Sequence, residues 1–148
     1  MKANIDFKGF IQVGIVVRDI EKSAKAWADF FNVPVPEIQV QEKKPIEGMF
    51  IRGKPADFGR KKVVIDAGGW VVELFEPTGG ESTFQEFLEK HGEGVHHIGF
   101  DVGDKRDAVI NELEENGCSL RLVGPNKSWT IVDTEDRLGV NLNIKPKR

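Results

Sequence analysis

The chain has 148 residues, which is enough for one ordinary domain, residues 1–148, and too few for two. It is 39% hydrophobic and 30% charged with a net charge of −3, so it can bury a core but lacks the basic surface of a general nucleic-acid binder. It has no apolar run of roughly 20 residues, no secretory signal and one cysteine, so we expect a cytoplasmic protein without disulfides or a membrane partner.

The first predicted elements are a strand and a helix. Residues 12–18 alternate with period two, and Asp19 then provides a helix N-cap before the helical apolar spacing of residues 20–31. Three β-rich stretches follow, the middle one a long hairpin; they cover residues 37–41, 49–52 paired with 62–67, and 70–75. The first module, residues 9–77, is therefore predicted to be βαβββ.

A linker helix is predicted over residues 81–92, with Phe84, Phe87 and Leu88 as its buried stripe. A second strand and helix follow at residues 97–102 and 104–117. Three more strands are predicted at residues 120–123, 129–133 and 140–144. Residues 95–146 thus repeat the βαβββ order, and the chain is predicted to have an α+β fold of two packed modules.

An internal repeat supports this division. The segment from Ile11, IQVGIVVRD, matches the segment from His96, HHIGFDVGD, 85 residues later, with Gly14 and Gly99 identical. A second match, 70 residues apart, pairs GWVVELFEP with GVNLNIKP. Because the two matches occur in the same order, the halves are predicted to be copies, with the first carrying extra residues near its hairpin.

Polar side chains gather on one face of the predicted first and last strands of each module. Strand alternation assigns this face, and its polar residues are Gln12, Glu73, His97, Asp101, Asn141 and Asn143. An amphipathic sheet with this face toward water would explain the pattern. A glutamate in the otherwise apolar run around Glu73 instead indicates a site in the cleft between the modules.

The duplicated βαβββ order and the strands HHIGFDV and WVVELFEP resemble the vicinal oxygen chelate superfamily, the glyoxalase and bleomycin-resistance fold. Within it, the chain is most similar to methylmalonyl-CoA epimerase-like members. The resemblance implies an open barrel-like cup, a homodimer and a divalent metal ion. It also implies four ligands, one from the first and one from the last strand of each module: Gln12, Glu73, His97 and Asn143.

Two of these positions depart from the pattern of the family. Gln12 stands where the family usually has histidine, and Asn143 where it usually has glutamate. The set therefore carries one formal negative charge, which favours a weak, oxygen-tolerant site over tight zinc binding. The candidate ions are Co, Mn, Mg, Ni and Zn. The alternative is a metal-free, hydrogen-bonded polar pocket.

The resemblance implies an isomerase or lyase that moves a proton next to the carbonyl of a small acyl-thioester or α-oxygenated substrate. Glu73 and Asp101 are the predicted proton acceptors, and Phe50 and Trp129 the predicted substrate contacts. The alternative is a protein of the same fold that sequesters a small molecule without metal or turnover.

Other reactive residues have simpler interpretations. His96 is predicted to be a core or surface histidine, and Cys118 a buried small apolar residue. A basic run flanks the hairpin and is interpreted as a solvated turn in preference to a contact for coenzyme phosphates; it comprises Arg52, Lys54, Arg60, Lys61 and Lys62.

Overall fold

A computed structural model describes residues 3–145, so the predicted module end at Pro146 lies outside the described residues. It contains eight strands: β1 Phe10–Val16, β2 Gln39–Ile51, β3 Lys54–Asp66, β4 Val71–Gly80, β5 Gly94–Asp101, β6 Leu120–Val123, β7 Thr130–Val132 and β8 Asn141–Lys145. The helices are α1 Ile20–Phe31, α2 Thr83–His91, α3 Arg106–Glu115 and α4 Glu135–Leu138. Two features differ from the prediction: β2 is one long strand, and α4 precedes β8.

The strands form one closed ring in the order β1-β4-β3-β2-β6-β7-β8-β5. Each half has the same internal order, with β1 parallel to β4 and β5 parallel to β8. This confirms the predicted α+β fold of two βαβββ modules, but the ring is closed and is not an open cup. It closes because the long β2 reaches the second half, where Phe50 pairs with Val123 and Ile51 with Leu122.

The strand register repeats between the halves as the sequence does. Gly14 pairs with Glu73 across β1 and β4, and Gly99 pairs with Asn143 across β5 and β8. These pairs are related by the same separations of 85 and 70 residues that the sequence repeat shows. The two halves therefore place equivalent side chains at equivalent heights in the ring.

The antiparallel seam between β1 and β5 contains two β-bulges. One lies at Ile11 on β1 and the other at His96 on β5, which are equivalent positions in the repeat. A bulge inserts one unpaired residue and re-aims the neighbouring side chains. The bulges therefore explain why strict alternation does not hold at the point where the halves meet.

The core is divided between the inside and the outside of the ring. Inside, Phe58, Phe75 and Leu122 pack with Phe84 from α2. Outside, α1 covers β3 and β4, and α3 covers β8. Helix α1 begins as predicted, since the Asp19 side chain accepts a hydrogen bond from the Lys22 amide.

Two further sequence expectations can be compared with the packing. Cys118 is buried in the apolar cluster under α3, as expected of a small apolar residue. None of the helices in residues 3–145 is long and apolar enough to cross a membrane.

Candidate functional site

Gln12 and His97 face each other across the seam between β1 and β5, each lying over a glycine of the opposite strand. A Cβ atom on Gly14 would lie 2.2 Å from Cε1 of His97, and one on Gly99 would lie 2.8 Å from Cβ of Gln12. No side chain larger than hydrogen fits at either position without displacing its neighbour. The two glycines that are identical in the repeat thus make room for the two polar side chains.

The four side chains predicted as ligands come from four adjacent strands and meet in one buried cluster. Gln12 is its centre: its Nε2 donates to Glu73 Oε1, and its Oε1 accepts from Asn143 Nδ2 at 2.9 Å. His97 Nε2 lies 3.2 Å from the same Gln12 oxygen. All four residues are buried, so this cluster is an internal feature and not a solvated sheet face.

The hydrogen bonds of the cluster determine, one after another, which atoms donate and which accept. Because a carboxylate only accepts, the Gln12 group facing Glu73 is the NH₂, and its oxygen faces His97 and Asn143. His97 then donates from Nε2, so its Nδ1 accepts from Nδ1 of His96 at 2.9 Å. The lone pair of the His97 ring therefore points at His96.

His96 is a core histidine, as expected, but the bulge at its own position turns it toward His97. Its ring packs against Phe84 and Phe87 of α2, with ring centres 4.9 and 5.4 Å away. Burial, with a smaller contribution from Arg121, lowers the pKa of His96 to about 3. Burial and then His96, Lys145 and Arg60 lower the pKa of His97 well below its ordinary range. Both rings are therefore neutral at pH 7.

A small cavity of about 70 Å³ opens beside the cluster inside the ring. Glu73, His97 and Asn143 form one wall, and Trp129 lies on another. Three cationic side chains also line the cavity: Arg60, Lys62 and Lys145. Lys62 Nζ lies 3.8 Å from Glu73 Oε2. The described lining thus has one carboxylate, a neutral histidine and three cationic side chains, of which Lys62 is paired with the carboxylate.

The interpretation of the basic run as a solvated turn is wrong for two of its members. Arg52 and Lys61 do form surface pairs, with Glu86 and Glu21 respectively. Arg60 and Lys62 instead line the cavity. Alternation along β3 could have found them, since both share the face of Phe58, which is fully buried.

Two other predicted site residues lie away from the cluster. Phe50 is 42% exposed, because its neighbours Met49 and Ile51 occupy the interior, and so it does not line the cavity. Asp101 lies at the end of β5, where its carboxylate accepts from the Gly103 amide and is not part of the cavity wall. Trp129, by contrast, lies at the cavity as expected.

The cluster does not fit a divalent metal ion. The Gln12 oxygen already accepts from Asn143, and the His97 nitrogen nearest to it donates. Lys62 Nζ beside Glu73 and the Arg60 side chain at the same cavity also repel a cation. To bind a metal ion, the Gln12 oxygen would have to give up its hydrogen bond from Asn143, and the His97 nitrogen would have to lose its proton. The nearby charges of Lys62 and Arg60 would oppose the ion.

A separate acidic cluster is formed by Asp19, Glu21 and Glu76, whose oxygens lie within 4.8 Å of one another. Two of them accept backbone amides at the start of α1: Asp19 accepts from Lys22, and Glu76 accepts from Ile20. Lys61 Nζ pairs with both glutamates, at 2.9 Å from Glu21 and 3.8 Å from Glu76. The described contacts thus explain the cluster as a helix cap with its counter-ion.

Solved structures with this fold include proteins of known activity. A methylmalonyl-CoA epimerase in complex with methylmalonyl-CoA and NH₄⁺ is 24% identical over 93% of both chains, with a TM-score of 0.63. The epimerase of Mycobacterium tuberculosis is 20% identical over 100% of this chain and 94% of its own (TM-score 0.61). A hypothetical protein of Bacillus halodurans is 21% identical over 94% of both chains (TM-score 0.61). At these identities the likeness concerns the fold.

No curated protein matches the sequence significantly. The family model described as Glyoxalase/Bleomycin resistance protein/Dioxygenase superfamily matches residues 11–131, from β1 into β7. Members of this superfamily often bind a divalent metal ion. The hydrogen-bonded arrangement around Gln12 does not fit such an ion. The match covers most of the chain and agrees with the duplicated βαβββ ring, so the chain belongs to the glyoxalase/bleomycin resistance protein/dioxygenase superfamily, also called the vicinal oxygen chelate superfamily.

Proposed function

We propose that the chain moves a proton next to the carbonyl group of a small acyl-thioester or α-oxygenated compound, with Glu73 as the proton acceptor. The observation that carries this proposal is the position of Glu73 in the cavity. It is the one carboxylate among the described residues that line the cavity. Gln12 holds its Oε1, while Oε2 lies on the side of Lys62.

The chemistry follows from these charges. When Glu73 takes a proton from carbon, the electron pair of the broken C–H bond forms a C=C bond and the carbonyl oxygen becomes negative. The cationic side chains at the cavity, including Arg60 and Lys62, stabilise that negative oxygen. The proton then returns from Glu73 to the same carbon. In an α-hydroxy compound it can instead go to the former carbonyl carbon, while the hydroxyl proton passes to the negative oxygen and the hydroxyl-bearing carbon becomes the new carbonyl.

A single acceptor limits the outcome of the reaction. His97 is neutral and hydrogen-bonded through both ring nitrogens, neutral His96 is not among the residues that line the cavity, and Asp101 lies elsewhere. A proton that leaves and returns through one carboxylate stays on one face of the carbon. We therefore propose hydrogen exchange or isomerisation as the activity, in preference to inversion at the carbon. The fold shared with methylmalonyl-CoA epimerases supports a carbonyl compound as substrate.

Deuterium uptake tests this proposal. Metal-stripped protein in D₂O would be incubated with methylmalonyl-CoA or a 2-hydroxyacyl thioester, and uptake at carbon followed by mass spectrometry. We expect Glu73→Gln to slow uptake by about 10²-fold or more. The matched control is Glu76→Gln on the same strand, since Glu76 contacts α1 and Lys61 outside the cavity. Unchanged uptake in Glu73→Gln would contradict the assignment.

A second candidate function is sequestration of a small molecule without turnover. It is favoured by the dense hydrogen bonding of the cluster, in which Gln12 and Asn143 offer neither a base nor an acid at neutral pH. In that case a compound would raise the melting temperature of the metal-free protein and be recovered unchanged after long incubation.

The homodimer and the cytoplasmic location also stay proposals. The family resemblance implies a homodimer, but every strand in residues 3–145 has a neighbour on both sides, so the described sheet offers no free edge for a second subunit. What supports a dimer instead is a group of exposed apolar side chains on and after α1, which include Phe30, Phe31, Val33 and Val35.

A further inference from the structure

We infer that Arg60 binds the carboxylate group of a small organic acid, so that the cavity recognises an anion without a metal ion. This deepens the proposed function, because it assigns a ligand chemistry to the same cavity. It depends on where the guanidinium group lies, on what surrounds it and on which partners it lacks.

Three aromatic rings hold the Arg60 guanidinium in place. Its Cζ lies 5.4 Å from the ring centre of Phe75, 5.6 Å from that of Phe84 and 5.9 Å from that of Trp129. Contacts with ring faces fix the orientation of the planar group but use none of its in-plane N–H donors. The aromatic side chains therefore hold the guanidinium so that its in-plane N–H donors stay available for a ligand inside the barrel.

No residue within 3–145 forms a hydrogen bond or ion pair with the Arg60 side chain. The nearest electrostatic influence is Glu73, which raises the pKa of Arg60, whereas burial has the larger effect and lowers it. Arg60 is half-buried. An anion that enters the cavity can therefore bond its N–H groups in place of water, in surroundings where a charged hydrogen bond is stronger than on the open surface.

The other charges at the cavity act in the same direction. Lys62 and Lys145 line it together with Arg60 and Glu73. The Arg60 guanidinium attracts an incoming anion and repels a divalent cation. The planar fork matches a carboxylate with two parallel hydrogen bonds. A cavity of about 70 Å³ has room for such a group and not for a large ligand.

Calorimetry with metal-stripped protein tests the inference, using acetate as the probe and acetamide as its uncharged analogue. We expect acetate to bind and acetamide to bind at least about tenfold more weakly. Arg60→Gln should weaken acetate binding by about tenfold or more. Arg52→Gln is the matched control, because Arg52 lies on the same hairpin but pairs with Glu86 on the surface; it should stay within about twofold.

Three results would overturn the inference: equal affinity for acetate and acetamide, unchanged acetate binding in Arg60→Gln, or acetate binding that appears only after Mn²⁺ or Zn²⁺ is added. If Arg60→Gln fails to fold, Arg60→Lys keeps the charge but removes the fork, and it should show an intermediate affinity.

Failure of this inference can be distinguished from failure of the proposed function. Glu73→Gln removes the proposed proton acceptor and also one negative charge from the cavity. We therefore expect this variant to slow deuterium uptake by about 10²-fold or more and to bind acetate more tightly than the parent protein. Acetate binding without uptake in the parent protein would support the anion site alone, and uptake without acetate binding would support the proton transfer alone.

Discussion

At the scale of single residues, two glycines determine whether the cluster can form. Gly14 and Gly99 lie opposite His97 and Gln12 across the seam, and both positions are closed to a Cβ atom. Neither glycine has the positive φ angle that would require glycine for backbone reasons. Their role is therefore to leave space for the side chain across the seam.

We expect Gly14→Ala to destabilise the protein by about 1–3 kcal/mol, because the new methyl group must push the His97 ring away from Gln12. Chemical denaturation measures the change. The matched control is Gly94→Ala on β5, where the added Cβ would meet Phe87 at an ordinary 3.8 Å. A loss of the same size in both variants would contradict the steric explanation.

The two buried histidines make stability depend on pH. Burial lowers the pKa of His96 to about 3 and that of His97 well below its ordinary range, near 6.5. Below about pH 6.5 the unfolded chain binds protons that the folded chain does not, so stability falls as the pH falls. For His96 this window extends down to about pH 3.

We expect the free energy of unfolding to drop by about 2 kcal/mol per buried histidine between pH 7.5 and pH 5. Urea titrations at several pH values measure it. Stability that does not change over this interval would mean that His96 and His97 are protonated inside the folded protein.

Much of the cluster could be predicted from sequence, whereas its charged surroundings were missed. Alternation placed Gln12, Glu73, His97 and Asn143 on one face together with Asp101 and Asn141, and the family resemblance singled out the four. Arg60 was missed because a run of like charges is usually solvated. Its burial depends on the rings of Phe84 and Trp129, which are distant in the chain and are brought to it only by folding.

At the scale of elements, the bulges mark the limit of alternation. Strand phase separated His96 from His97, yet the structure has the two rings in contact. One inserted residue changes which side chains share a face. The sequence around Ile11 or His96 does not indicate a bulge, because each bulge arises from pairing between strands of different halves.

Helix α1 depends on its N-cap. Asp19 accepts the Lys22 amide, and the helix covers β3 and β4. We expect Asp19→Ala to lower the free energy of unfolding by about 1 kcal/mol, because a terminal amide loses its acceptor. Asp19→Ser restores an acceptor and should recover most of the loss in the same denaturation assay. A full loss in the serine variant would indicate that the charge of Asp19, and not the cap, is what matters.

At the scale of the whole molecule, the strands form a closed ring, and the outside of the protein carries an exposed apolar surface on and after α1. Phe30 is 86% exposed there. If this surface pairs two copies, Phe30→Glu should convert a dimer into a monomer, as measured by light scattering after gel filtration. Leu138→Glu on α4, also at an exposed apolar position, should leave the mass unchanged. A monomeric parent protein would end the dimer proposal.

The two contacts that join the halves are very unequal. Strands β1 and β5 share six paired positions, whereas β2 and β6 share two. The short contact between β2 and β6 should therefore open first in local unfolding, while the longer β1–β5 contact stays paired. Backbone amides of Ile51 and Arg52 would then lose protection in hydrogen–deuterium exchange long before those beside Gly14. Local opening between β2 and β6 would admit a small molecule to the interior of the barrel, while the polar cluster at the β1–β5 contact stays intact.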